Sequence, residues 1–213
     1  MDLLAIEEFS RGVLEDDTTG HDWKHALRVE KNARKISPPE LTQEETEIIQ
    51  AACWLHDTID EKIDDRKRQT VMDVQQLLQE NEATPEQIEN ILFIIQNLSF
   101  SKNITQKIEL NILGQVVQDA DRLDAIGAVG IARTFYYGGS KGNPIYDNEK
   151  PRSQNELTAD NYRKPTSVIN HFYEKLLLLE QQMNTELGTK EANKRTKFMR
   201  DYLKQFYSEI YDQ

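Results

Sequence analysis

The stretch TQEETEIIQAACWLHDTIDEK, residues 42–62, decides the fold. Thr42 followed three residues later by Glu45 is a capping box, in which side chain and backbone satisfy each other's orphan donors at a helix start. The following run carries Ile48, Ile49, Ala51, Ala52, Cys53, Trp54 and Leu55 without a charge, so this helix, running to about Asp57, is expected to be buried nearly all round. At its end the chain places His56 and Asp57 side by side. Burying either polar group costs free energy unless it finds a partner.

The same helical periodicity extends outward in both directions. Leu3, Ile6, Phe9, Val13 and Leu14 recur near a 3.6-residue period over 2–15, and Ala26, Val29, Ala33 and Ile36 do so over 22–36, where Pro38-Pro39 ends the helix. Asp64 or Asp65 is placed to cap a helix carrying Val71, Val74, Leu77 and Leu78. Thr84-Pro85-Glu86-Gln87 opens another, with proline at the first helical position. A helical stretch from about 108 to 137 is expected to break near Asp124. Gly138, Gly139, Gly142, Pro144 and Pro151 leave residues 138–165 without periodicity, and a loop of that length in a compact domain is usually functional. One helix is expected over 167–183 and a last one over 190–211, capped by Thr189. Strand pairs, repeats and linkers are not discernible. The expectation is a single all-α domain over 1–213 with roughly eight to ten helices.

Bulk properties narrow the function. The chain has 213 residues, enough for one substantial core. The net charge of −11 disfavours a long nucleic-acid partner, because a negative field repels phosphate backbones. No run approaches the ~20 apolar residues of a membrane span. The first residues lack a basic start and an apolar stretch, and Cys53 is the single cysteine; both fit a cytoplasmic protein.

Only four histidines are present: His21, His25, His56 and His171. His21-Asp22-Trp23-Lys24-His25 has the i, i+4 spacing of the H-E-x-x-H zinc signature, but with the shorter aspartate, and a metalloprotease using it would leave His56-Asp57 unexplained. Taken alone, His25 lies one turn before Val29 on the packed face and needs a partner. A further acidic cluster, Asp119, Asp121 and Asp124, interrupts an otherwise apolar helix.

The ordered set of His25 in HALRV, His56-Asp57 in WLHDTID and Asp121 in DADRLDA resembles the HD-domain metal-dependent phosphohydrolases. The segments ADRLDAIGAVGIARTF, GNPIYD and HFYEKLLLL look like the bacterial branch containing nucleoside-triphosphate pyrophosphohydrolases, and the resemblance covers about residues 20–210. It implies His25, His56, Asp57 and Asp121 as ligands of one divalent ion, within a core at about 20–125 over which a loop and C-terminal helices at 138–213 pack. Two imidazoles and two carboxylates suit Mn²⁺, Fe²⁺, Co²⁺, Ni²⁺ or Zn²⁺, and the carboxylates admit Mg²⁺; Mn²⁺ or Mg²⁺ is the first expectation. Two-metal members need further histidines or carboxylates, so a single ion is expected.

The resemblance also assigns Asp60, then Glu61, as candidate general base or acid, and His21 as a group contacting phosphates or protonating the leaving oxygen. Arg28, Lys62, Lys141, Arg152, His171 and Lys175 are candidate substrate contacts. Each has a plainer reading: Asp60-Glu61 as a solvated turn, Arg28 paired with a carboxylate, His171 as a packed histidine, Asp119 and Asp124 as a supporting acceptor and a helix cap. Residues 138–165 carry five cations and four acids, so they form no simple basic patch. The expected activity is hydrolysis of (deoxy)nucleoside triphosphates to monophosphate and pyrophosphate on a small phosphorylated substrate. Phosphomonoester or phosphodiester cleavage on the same site, or a non-catalytic nucleotide sensor, are the alternatives, and a homodimer is compatible with all of them.

Overall fold

In the computed structural model, which describes residues 1–18, 20–61, 63–98, 108–153 and 166–211, the decisive helix runs over Gln43–Leu55. Its Thr42–Glu45 capping box is formed, and Ile48, Ile49 and Ala51–Leu55 are all buried. The described residues are all helical or irregular, with no strand: α1 Leu3–Leu14, α2 Trp23–Ile36, α3 Gln43–Leu55, α4 Val71–Glu80, α5 Pro85–Asn97, α6 Ile112–Asp124, α7 Gly127–Ser140, α8 Val168–Glu174, a 3₁₀ helix Leu176–Gln182, and α9 Glu186–Tyr211. They fall into two compact units, 1–121 and 122–213.

In the first unit α3 is the axle. It packs against α1, α2 and α5, while α4 packs on α5. Ile6, Leu14, Val29, Ile36, Leu55, Leu78, Ile91 and Ile94 are essentially inaccessible to solvent. Each such side chain contributes about 1.5–3 kcal/mol relative to exposure. Asp22 caps α2 by accepting from the His25 amide, and the helix expected to start at Pro85 does so, with Thr84 and Gln87 forming a capping box. Capping of α4 differs from expectation. Thr70 and Asp73 form its capping box, whereas the Asp64 carboxylate is taken by the Arg66 amide and guanidinium in the preceding turn.

In the second unit α7 packs against α8 and α9, and the 3₁₀ helix against α8 and α9. Phe135, Phe172, Tyr202 and Phe206 form its aromatic core, with ring centroids 6.1–6.2 Å apart. The break after Asp124 is real: Gly127 turns the chain with φ +77° and packs on the Arg195 stem. Three expectations are corrected. Gly138 and Gly139 belong to α7, not to a loop. Gly138 is there because a Cβ would come within 2.4 Å of Val168 Cγ2, so α7 and α8 could not approach. The helix expected over 167–183 is divided at Lys175. Leu176 and Leu179 are the buried leucines, a three-residue spacing that a 3₁₀ helix, not an α-helix, aligns on one face. The last helix begins at Glu186, one turn before Thr189, because the Thr185 hydroxyl accepts from the Gly188 amide.

What remains of the long loop is pinned. The Val168 and Ile169 amides donate to Pro144 O and Ile145 O at 2.9 and 3.0 Å. Asn170 Nδ2 donates to Asp147 Oδ1 and Glu149 O. The rest of the expected loop, 154–165, lies outside the described residues.

Candidate metal centre

Three segments of the first unit converge. At the start of α2, Gly20 adopts φ +96°, a region costly for residues with a Cβ. That turn brings the His21 amide onto Asp17 Oδ2 at 2.9 Å. His21 therefore precedes the N-cap Asp22 and stands outside the helix, so His21 and His25 are not an i, i+4 pair on one helical face as a metalloprotease signature requires. His25, inside the helix, is 1% exposed.

At the end of α3, His56 is the C-cap, and its Nδ1–H donates to Cys53 O at 2.9 Å. That bond makes Nδ1 the donor and fixes the ring orientation. Nε2 is buried and has no hydrogen-bond partner among the described residues. Asp57 follows in a turn closed by Thr58 Oγ1 donating to Leu55 O at 2.7 Å. From α6 comes Asp121, whose helix is tied to α2 by Asn32 Nδ2 donating to Ala120 O at 3.1 Å.

Asp57 Oδ2 lies at the hub: 2.8 Å from His21 Nδ1, 3.3 Å from His25 Nε2 and 3.3 Å from His56 Nε2. Asp121 Oδ1 lies 3.4 Å from His25 Nε2 and 3.9 Å from His56 Nε2. The His25 and His56 rings meet edge to face at 5.3 Å. Burial pushes the Asp57 carboxyl up, but His21, His56 and His25 outweigh it and hold the group well below the usual carboxylate range. Asp121 is lowered in the same way, with burial opposing and His25 and His56 prevailing. Both acids are thus held in the ionised form.

These donors fit a divalent ion. Two triads can each hold one, His21–His25–Asp57 and His25–His56–Asp121, with ligand atoms within 4.8 Å of one another. Around an ion with bonds of about 2.1 Å, adjacent ligands stand roughly 3 Å apart. The 3.3 and 3.4 Å separations need only small closures, and 3.9 Å a larger one. The buried Nε2 of His56 adds a second observation: it makes no hydrogen bond among the described residues and faces the Asp57 and Asp121 carboxylates, a setting that a bound cation fits.

The other candidates are placed as follows. Asp60 is partly buried in the turn after Asp57, its amide donating to Asp57 O at 3.0 Å, and Glu61 is exposed. Arg28 is partly buried on α2, three residues after His25. Lys62 lies outside the described residues. Four candidates belong to the second unit. Lys141 is exposed with Nζ 5.6 Å from the Tyr137 ring centroid. Arg152 pairs with the buried Glu174, Nε to Oε1 at 3.1 Å. His171 is partly buried on α8, and Lys175 marks the break before the 3₁₀ helix. Asp119 is fully buried, and Asp124 accepts from Arg133 Nη1 at 2.6 Å. Sequence reasoning missed Asn32 and Asp17. A signal existed for Asn32, a polar residue seven after His25 on the same helical face.

A model of the HD domain matches residues 22–126. The Bacillus subtilis protein YpgQ is 35% identical over 206 residues, spanning 96% of this chain and 92% of YpgQ. Its crystal structure in complex with ADP superposes with a TM-score of 0.77, at the same identity and coverage. A Lactobacillus plantarum protein is similar at a TM-score of 0.86 and 38% identity, over 99% of this chain and 97% of its own. A Bacillus thuringiensis HD-superfamily hydrolase gives 0.74 and 38% identity, over 98% and 96%.

Proposed function

The chain belongs to the HD-domain family, and from that premise we propose that it is a divalent-metal-dependent phosphohydrolase that converts (deoxy)nucleoside triphosphates to monophosphate and pyrophosphate. The observation that carries the reading is the convergence of His25, His56, Asp57 and Asp121, with the buried Nε2 of His56 lacking a hydrogen bond beside two ionised aspartates. The ADP complex of YpgQ supports a nucleotide as the ligand class.

His25, His56, Asp57 and Asp121 would hold the ion, with Mn²⁺ or Mg²⁺ the favoured occupants. When bound, it supplies an acidified water and positive charge at a phosphoryl oxygen. The residues of the chain do the rest. His56 keeps its ring orientation through Cys53 O, and the Asn32 bond holds the α6 backbone beside Asp121 in register with α2. The apolar run Ala51–Leu55 forms a dry wall behind the site, which strengthens every charge interaction in it. Asp60, partly buried and anchored through Asp57 O, is the candidate that takes the proton from the attacking water, with Glu61 second. Arg28, three residues after His25 on α2, is the candidate cation for the developing phosphate charge.

The test is to incubate metal-stripped protein with a nucleotide panel, with and without Mn²⁺, and follow products by phosphorus NMR. Pyrophosphate from triphosphates, only with metal, is expected. Orthophosphate from monophosphates would move the assignment to phosphomonoester cleavage. No turnover of any phosphorylated compound with any divalent ion would sink the reading.

A further inference from the structure

His21 was assigned from the family resemblance to phosphate contact or leaving-group protonation. Its geometry says something different. The Nδ1–Asp57 Oδ2 distance of 2.8 Å is the shortest of the three imidazole approaches to that oxygen. A carboxylate only accepts, so Nδ1 carries the hydrogen and donates it. Two features outside the ring enforce this contact. Gly20 at φ +96° makes the turn, and Asp17 Oδ2 grips the His21 amide at 2.9 Å. The ring also stands edge-on to His25, 6.0 Å between centroids, and its side chain is 19% exposed. A carboxylate oxygen has two lone-pair directions. Oδ2 can therefore accept from His21 while still facing His25 and His56.

We propose that His21 is a positioning residue, which fixes the Asp57 carboxylate by hydrogen bond so that it meets an ion held between His25, His56 and Asp121. This rests on the metal-centre reading above. Without the His21 bond, the Asp57 carboxylate can rotate about its own side-chain torsions, and the ion must bear the cost of ordering it. Partners that orient ligating groups typically change metal affinity about 10–100-fold when removed.

The test is Mn²⁺ titration of metal-stripped full-length protein, read by the electron paramagnetic signal of free Mn²⁺. Wild type is compared with His21→Ala, His21→Asn and His21→Gln. Far-UV circular dichroism of each apo variant serves as the folding control. Asparagine can place an N–H close to the position of Nδ1, whereas glutamine carries it farther out. The expected result is a loss of about 10–100-fold in affinity for His21→Ala and His21→Gln, with His21→Asn largely restored. If His21→Ala misfolds, the contrast between Asn and Gln decides alone. Wild-type affinity in every variant, with turnover alone reduced, would overturn the proposal in favour of a direct role on substrate. A fall from two bound Mn²⁺ to one would overturn it in favour of a second ion at His21. Failure of wild type to bind Mn²⁺ at all would instead remove the metal-centre reading itself.

Discussion

The molecule buries carboxylates in two places and treats them differently. Glu174, 3% exposed, is closed off by its own chain. It accepts from the Arg152 amide at 2.9 Å, from Arg152 Nε at 3.1 Å and from Thr166 Oγ1 at 3.3 Å. Burial pushes its carboxyl up, and Arg152 and Thr166 more than reverse this, holding it below the usual range. Asp57, 7% exposed, is surrounded instead by three imidazoles, one of which has a buried nitrogen that makes no hydrogen bond among the described residues. A carboxylate that supports structure is given a permanent guanidinium. Asp57 is given imidazoles from two separate segments of the chain.

The sharpest way to break that contrast is to remove each acid. Asp57→Ala is expected to weaken Mn²⁺ binding by more than about 100-fold, beyond the range seen for supporting groups. Isothermal titration checks this, and retained stoichiometric metal would refute the ligand set. Glu174→Ala should instead cost stability, about 3–5 kcal/mol because Arg152 loses its buried partner. Urea unfolding reads this, and the number of Mn²⁺ bound per chain should stay unchanged. Next comes the ion itself. Mn²⁺ at 100 times its dissociation constant should stabilise the wild type by about 2.7 kcal/mol, seen as a raised Tm that a chelator reverses. His56→Ala should abolish that shift.

A smaller effect, read by pH, belongs to the Glu174 region. Burial, with the nearby Lys175, pushes His171 down to about 4. Between pH 6.5 and 4 the unfolded chain therefore binds a proton that the folded chain does not, and stability falls as the pH falls through that window. Glu174, with a lowered folded pKa, adds a loss that begins near 4.5 and continues below it. His171→Gln should flatten the upper part of the Tm-against-pH curve and leave the lower part. The smallest expected effect is at Gly20. Gly20→Ala strains a left-handed turn by about 1–2 kcal/mol and should weaken Mn²⁺ binding only severalfold, through His21.

Legibility in the sequence followed the same division. The capping box at Thr42, the helix start at Thr84-Pro85 and the buried face of α3 could be read because they are local patterns that packing did not override. His25, His56, Asp57 and Asp121 were found through their order and a family resemblance, and the structure brings them together. What escaped depends on contacts between distant segments. Gly138 read as a loop residue because nothing local reveals Val168 against it. Four consecutive leucines read as α-helix because only the core decides that Leu176 and Leu179 go inside together. The Arg152–Glu174 pair was not legible because the two residues stand 22 positions apart. His21 was picked out for its type, but its partner was visible only in three dimensions.

The central claim is that the buried Nε2 of His56, which makes no hydrogen bond among the described residues, receives a cation. Crystals grown with Mn²⁺ and measured at the manganese absorption edge test it most directly. The account predicts one strong anomalous peak within bonding distance of His25 Nε2, His56 Nε2 and the Asp57 and Asp121 carboxylates. A peak elsewhere, or none with His56 Nε2 still buried and without a hydrogen bond, would contradict it.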